Sequence, residues 1–182
     1  MVGIGPIRKM SAIAAFWLLH NDAVPALRAL ANSQANGAKE PVPSFTSQPP
    51  ERHDAFYELM RLQGKELERY PWSGYVFAAE TRLFLEERRL ALDEFVDDDL
   101  TTYLRRVLEI WIYAFRLAGS ERLVEALDQL KTTDAEVHQF LEANATYSAE
   151  TEHIQAVRDG LKYLMKWLSQ VDAEHVGLLT IR

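Results

Sequence analysis

Carboxylates and histidines at helical spacing are the residues of this chain with the clearest capacity for chemistry. Glu150 and His153 stand three residues apart in a predicted helix, and Glu80 lies among the apolar residues of an earlier one. Metal centres in helical bundles use Glu and His three apart, together with carboxylates from neighbouring helices. One hypothesis is therefore a metal-dependent helical-bundle enzyme whose metal ligands are Glu80, Glu150 and His153.

A structural explanation accounts for the same residues. His153 borders the apolar stripe of its helix, and the only comparable pair is Asp172 with His175. Glu80 projects from an apolar face, where an isolated carboxylate must find a partner or take up a proton. An ion pair or hydrogen bond to an arginine, tyrosine or tryptophan of a neighbouring helix satisfies Glu80, and we favour this explanation.

No complete catalytic motif supports an enzyme. The chain contains no cysteine, which excludes a thiol nucleophile, disulfides and thiolate zinc sites. It also lacks a Gly-x-Ser-x-Gly sequence and a glycine-rich phosphate loop after a strand. The sequence therefore favours a protein without catalysis and without a cofactor.

Two acidic clusters are the second feature with a functional implication. Helix capping needs one or two carboxylates, whereas the first cluster holds five within seven residues, and no Lys or Arg lies between Lys131 and Arg158 around the second. A solubilising surface is one explanation, and a docking face for a basic partner is the other. The candidate partner-binding residues are Asp93, Glu94, Asp97, Asp98, Asp99, Asp134, Glu136, Glu142, Glu150 and Glu152.

The net charge of −7 excludes some partners. An acidic protein is repelled by phosphate backbones, so nucleic acid is not expected to be the main partner. The apolar run Met10–Leu19 is too short to span a bilayer and lacks a nearby signal-cleavage site, which favours a cytoplasmic protein without a membrane association. The sequence is compatible with a homodimer.

The segment Asp99–Ala118 directs the prediction of the fold. Its second half is apolar at nearly every position, and a helix that is apolar all round must be surrounded by other helices. We therefore predict an all-α fold, a single multi-helix bundle around a central buried helix at about 99–118. The other predicted helices are Ile7–His20, Asp22 to about Ser33, Glu51–Tyr70, Gly74–Leu92, Ser120 to about Leu130, Thr133 to about Ala143 and Ser148 to about Val171. Gly119 is predicted to end the central helix, Ser73 and Ser120 to cap the helices that follow them, and Thr133 with Glu136 to form a capping box.

A proline-rich segment divides the predicted helices. Gln34–Pro50 contains four prolines and no apolar periodicity, which is typical of a linker. The predicted organisation is an N-terminal helical arm (1–33), a linker (34–50) and a main helical domain (51–182). The apolar tail Val176–Ile181 either packs back onto the bundle, which we favour, or adds as a strand to a partner or second copy.

These observations favour a non-catalytic cytoplasmic protein-binding module. It would resemble immunity, inhibitor or adaptor proteins in using an acidic surface to dock a more basic protein. The alternative is the metal-dependent enzyme described above.

Overall fold

The computed structural model describes residues 12–37, 51–108, 110–144 and 151–181 of the chain. Short 3-10 turns occur at Asn21–Ala23 and Leu92–Glu94, and a π-helical turn spans Phe77–Thr81. In order, the elements are β1 (Ala14–His20), α1 (Val24–Gly37), α2 (Glu51–Gln63), β2 (Gly64–Glu66), α3 (Gly74–Val76), α4 (Arg82–Glu87), α5 (Asp98–Leu108), β3 (Trp111–Phe115), α6 (Leu117–Gln129), α7 (Asp134–Ala143), α8 (Thr151–Leu168) and β4 (His175–Ile181).

The four strands form one antiparallel sheet in the order β2-β1-β4-β3. β1 pairs with β4 along its whole length, which places Trp17 opposite Leu178. β3 pairs with the other side of β4, where Tyr113 lies opposite Leu179. The two central strands thus come from opposite ends of the sequence, and their pairing brings those ends together.

Helices cover both faces of the sheet. Phe16, Phe115 and Leu179 pack on one face with Trp167 of α8, whose ring centroid lies 5.6 Å from that of Phe16. The alternate residues of the same strands pack on the other face with side chains of α1, α2 and α5. That second core includes Trp17, Ile112, Leu178, Leu27, Phe56 and Leu104. The architecture has three layers, with the sheet between two layers of helices.

The prediction of an all-α helical bundle is wrong, because the protein contains this four-stranded sheet. A sheet with one solvated face alternates apolar and polar residues, whereas strands covered on both faces are apolar at almost every position. Six of the seven residues of β1 and four of the five of β3 are buried. Their sequences consequently have the same pattern as a fully buried helix.

The predicted central helix Asp99–Ala118 is not one helix. Its first half is α5, most of its second half is the strand β3, and Leu117 and Ala118 already belong to α6. Gly119, predicted to end the helix, instead lies in the first turn of α6, where a Cβ would stand 2.0 Å from the carbonyl oxygen of Phe95. The close approach of two backbones therefore explains this glycine.

The predicted helix Ile7–His20 is also wrong, since Ala14–His20 forms β1 and residues 1–11 lie outside the described ranges. The tail packs back onto the same chain, as favoured, and does so as the strand β4. The division at residues 34–50 stays a prediction, because 38–50 lie outside the described part of the chain.

Two of the helix-capping predictions are confirmed. The Ser73 hydroxyl accepts a hydrogen bond from the Tyr75 amide at the start of α3, as expected. Thr133 and Glu136 form the predicted capping box at the start of α7. Both caps consist of hydrogen bonds among neighbouring residues, which the local sequence can signal.

The edge of β3 that does not pair with β4 is covered by α5 and by the residue that precedes it. The Asp97 amide donates to the Ala114 carbonyl at 2.7 Å, and the Ala114 amide donates to the Thr101 hydroxyl at 3.0 Å. Arg105 Nε donates to the Ile112 carbonyl at 2.8 Å. Because these groups form hydrogen bonds with the backbone amide and carbonyl groups at this edge, β3 is protected against pairing with a further strand. Among the described helices, none has the length and apolar character needed to cross a membrane.

Candidate functional site

The π-helical turn Phe77–Thr81 places a carboxylate inside the protein. Four of its five residues are buried, and they include Glu80 and Thr81. π-helical turns within α-helices are rare and occur frequently at functional sites. The turn packs against α8, where a Cβ added to Gly160 would lie 2.3 Å from the Thr81 hydroxyl oxygen. Gly160 therefore permits the close approach that brings Glu80 to α8.

Glu80 forms a buried pair with His153 of α8. The Glu80 side chain is 0% exposed, and its Oε1 lies 2.6 Å from His153 Nδ1. Its second oxygen, Oε2, has no hydrogen-bond partner among the described residues. Burial raises the pKa of Glu80, while the hydrogen bond and charge of His153 oppose that rise. The contact requires at least one proton between the two groups, so their protonation is linked.

Tyr70 lies close to this pair. Its hydroxyl donates to the Ala156 carbonyl of α8 at 2.6 Å. Burial raises the pKa of Tyr70, and the negative charge of Glu80 adds to that effect. Tyr70 is therefore a neutral hydrogen-bond donor and cannot supply a charge to balance Glu80.

The structure brings together two of the three predicted metal ligands. Glu80 and His153 are in contact, and Glu150 lies outside the described residues. Within the described ranges, no group of three or more His, Cys, Asp or Glu side chains is placed to hold a metal ion. The partner of Glu80 is a histidine and not the expected arginine, tyrosine or tryptophan. The metal site stays a prediction.

We expect the contribution of Glu80 to wild-type stability to fall as the pH rises above the ordinary pKa of a glutamate. Because the folded-state pKa of Glu80 is raised above 4.5, the folded protein binds this proton more tightly than the unfolded chain. That stabilisation is complete below pH 4.5 and is lost as the pH rises through the folded pKa, by at most about 1.4 kcal/mol per pH unit. In Glu80→Gln it is absent, so the stability of this variant relative to wild type should increase with pH.

Urea unfolding of both proteins from about pH 4 to about pH 8 measures this difference. Glu136→Gln is the matched control, because the Thr133 amide and hydroxyl and then Arg88 hold the pKa of Glu136 below its ordinary value. Its difference from wild type should change with pH in the opposite direction. A Glu80→Gln difference that does not vary with pH would contradict the assignment.

Several acids of the first cluster serve internal structure. Asp93 pairs with Arg105 at 2.7 Å, and Asp97 pairs with Arg116 at 3.0 Å. Asp97 also accepts a hydrogen bond from the Leu100 amide, which caps α5. Burial alone would raise the pKa of Asp97, but the Leu100 amide and Arg116 outweigh it and lower that pKa. These two acids attach α5 to its surroundings.

Several acids of the second cluster also have ionic partners within the chain. Asp134 pairs with Arg158, Glu136 with Arg88 at 3.1 Å, and Glu142 lies 3.4 Å from His138. Glu150 lies outside the described residues. Among the ten predicted acids, those that are exposed and have no ionic partner within the described ranges are Glu94, Asp98, Asp99 and Glu152.

The sequence reasoning missed a cleft beside β3. Arg82, Arg105, Trp111 and Tyr113 line it, and Trp111 is 50% exposed. Sequence analysis placed the two aromatic residues in a buried helix, which concealed their position on an edge strand. A run of only six apolar residues, Ile110–Phe115, that includes three aromatic rings was the available signal for a strand.

Comparisons with known proteins identify no relatives for this arrangement. No protein-family profile matches the chain, and neither curated proteins nor solved structures show significant similarity to it.

Proposed function

We propose that this protein is a non-catalytic cytoplasmic binding module that docks a basic protein through exposed carboxylates. The observation that carries the proposal is the pair Asp98 and Asp99 in the first turn of α5. Asp97 already caps that helix through the Leu100 amide, and both following carboxylates are exposed. Their number therefore exceeds what the helix end requires, although each still interacts favourably with the helix dipole.

The ion pairs narrow the proposed docking set. Asp93, Asp97, Asp134 and Glu136 are each balanced by an arginine of the same chain. An acid that holds its own fold together contributes less attraction to a partner, since its charge is already compensated. We therefore assign docking to four exposed acids that lack an ionic partner in the described ranges: Glu94, Asp98, Asp99 and Glu152.

Charges of this kind act mainly on the rate of association. Exposed carboxylates attract a basic surface over distances of about one Debye length, which is about 10 Å at 0.1 M salt. They increase encounter with a partner of opposite charge more than they lengthen the lifetime of the complex. Binding should consequently weaken with added salt, and neutralising these acids should remove most of that salt dependence.

Immobilised full-length protein can test the proposal with extract from its source cells. The test variant carries Glu94→Gln, Asp98→Asn, Asp99→Asn and Glu152→Gln. At low salt it should capture a Lys- and Arg-rich partner in an amount about tenfold or more below that captured by wild type. The captured protein should then be purified and its affinity measured at about 0.05 and 0.3 M salt.

Four exposed acids outside the predicted clusters provide a control with the same change in charge. The control variant carries Glu121→Gln, Glu125→Gln, Asp128→Asn and Glu174→Gln. It should bind the purified partner as wild type does. Equal binding by the two variants, or recovery of no specific basic protein, would overturn the proposal.

A further inference from the structure

The cleft beside β3 combines positively charged and aromatic side chains. It has a volume of about 210 Å³ and is lined by Arg82, Arg105, Trp111 and Tyr113. Arg82 begins α4, Arg105 lies in α5, and the two rings belong to β3. Three elements therefore place two guanidinium groups and two aromatic rings around one opening.

Arg82 is held in place on one side of the cleft. Its Nε donates to the Ala78 carbonyl at 3.0 Å, and its Nη1 pairs with Glu86. The guanidinium carbon lies 5.2 Å from the centre of the Trp111 ring. Only 19% of the Arg82 side chain is exposed. These contacts fix the guanidinium in one position.

Arg105 is held in the same manner on the other side. Its Nε donates to the Ile112 carbonyl at 2.8 Å, and its Nη1 donates to Asp93 at 2.7 Å. Its guanidinium carbon lies 4.3 Å from the centre of the Tyr113 ring. Within the described part of the chain, no hydrogen bond engages Nη2 of either arginine. Each guanidinium thus retains a donor.

The lining is rich in donors and poor in acceptors. Arginine and tryptophan side chains carry only hydrogen-bond donors, and a tyrosine hydroxyl donates or accepts. Burial raises the pKa of Tyr113, although Arg105 and Arg82 oppose that rise, so its hydroxyl retains its proton. A ligand that complements this lining must supply acceptors. An ionised carboxylate has acceptors only, and its planar shape matches the guanidinium fork.

We propose that the Arg82, Arg105, Trp111 and Tyr113 cleft binds the carboxylate of a small aromatic acid. The guanidinium groups receive the carboxylate, and the half-exposed Trp111 provides apolar surface for the ring of the ligand. Both arginines are already ordered by their hydrogen bonds, so binding loses little side-chain entropy. Glu86 and Asp93 offset the positive charge, so the expected dissociation constant is in the millimolar range.

Benzoate is the probe for the test, and the nitrogen–proton resonance of the Trp111 indole is the signal. The resonance is assigned by its loss in Trp111→Phe. Benzoate should shift it saturably, whereas benzamide, which has nearly the same shape without the charge, should not. Arg82→Lys and Arg105→Lys keep the charge but lose the fork, and each should weaken binding about tenfold.

Arg122→Lys is the matched control, because the Arg122 guanidinium lies 5.2 Å from the Phe95 ring outside this cleft. It should bind benzoate as wild type does. Two-dimensional amide spectra establish that each variant is folded, and one folded lysine variant of the pair is sufficient for the test. Equal shifts with benzamide, unchanged affinity in that folded variant, or no saturable shift would overturn the proposal.

Two further ligands test whether a different kind of acidic group binds the cleft better than a small aromatic acid does. Inorganic phosphate and a blocked glutamate peptide should both bind more weakly than benzoate, because neither provides a planar carboxylate attached directly to a ring. Tighter binding of phosphate would contradict recognition of a carboxylate. Tighter binding of the peptide would show that an acidic protein side chain, and not a small aromatic acid, occupies the cleft.

Discussion

Replacing His153 with alanine should lower the free energy of unfolding by up to about 3 kcal/mol at pH 7, because it removes the partner of a fully buried carboxylate. The orphaned Glu80 must then take up a proton in order to remain buried. From its ordinary pKa of 4.5, protonation at pH 7 costs about 1.4 kcal/mol per pH unit, and wild type already bears the part of this cost that corresponds to its own raised pKa. The loss should therefore fall below about 1 kcal/mol near pH 5. Urea unfolding at both pH values measures it.

A double variant distinguishes the electrostatic effect from lost packing. Adding Glu80→Leu to His153→Ala should recover most of the stability at pH 7, since it removes the buried charge and keeps a side chain of similar volume. His138→Ala is the matched control, because His138 and Glu142 form an exposed pair 3.4 Å apart. It should have little effect. If the His153→Ala loss is the same at both pH values, the buried-charge explanation is wrong.

Replacing Trp167 with alanine should lower the free energy of unfolding by about 3–5 kcal/mol. Trp167 is 0% exposed, and its ring packs against Phe16 of β1 and Phe77 of the π-helical turn, at centroid distances of 5.6 and 6.0 Å. Its indole also donates to the Glu68 carbonyl at 2.8 Å. The substitution leaves a cavity between α8 and the sheet and removes the partner of that carbonyl. Thermal or urea unfolding measures the loss.

Trp111→Ala is the comparison for this substitution. It deletes the same side chain where half of it is exposed, and the expected loss is about 1 kcal/mol. Comparable losses in the two variants would show that α8 does not pack on the sheet as described. A far larger effect for Trp167 supports the assignment of α8 to the sheet face.

The helices of this protein could be predicted from its sequence to a useful extent. The Thr133 and Glu136 capping box correctly predicted the start of α7, and Ser73 the start of α3. The predicted cap at Ser120 is wrong, because α6 begins at Leu117 and Ser120 is buried within it. Capping depends on hydrogen bonds among four or five neighbouring residues, so the signal is in the sequence itself. The sequence does not separate Ser120 from Ser73, because neither serine is followed by a glutamate or glutamine three residues later.

The candidate sites could be predicted only in part. Glu80 was identified because a carboxylate in an apolar face needs a partner, whereas His153 was identified only by its spacing from Glu150, as a metal ligand. Their contact depends on the π-helical turn and on the close approach of Thr81 to Gly160, which are tertiary features. The cleft formed by Arg82, Arg105, Trp111 and Tyr113 was missed because its residues come from three separate elements.

Local sequence patterns were sufficient to predict most of the buried segments, the start of two helices, and the need of Glu80 for a partner. They did not distinguish helix from strand for the runs AAFWLLH and WIYAF. A segment covered on all sides has no polar face, and without a polar face there is no period to distinguish 3.6 residues from two. The conformation of β1 follows instead from its pairing with β4, which lies nearly the whole chain away in sequence. Such pairing satisfies the backbone groups of both strands through contacts that no local pattern records.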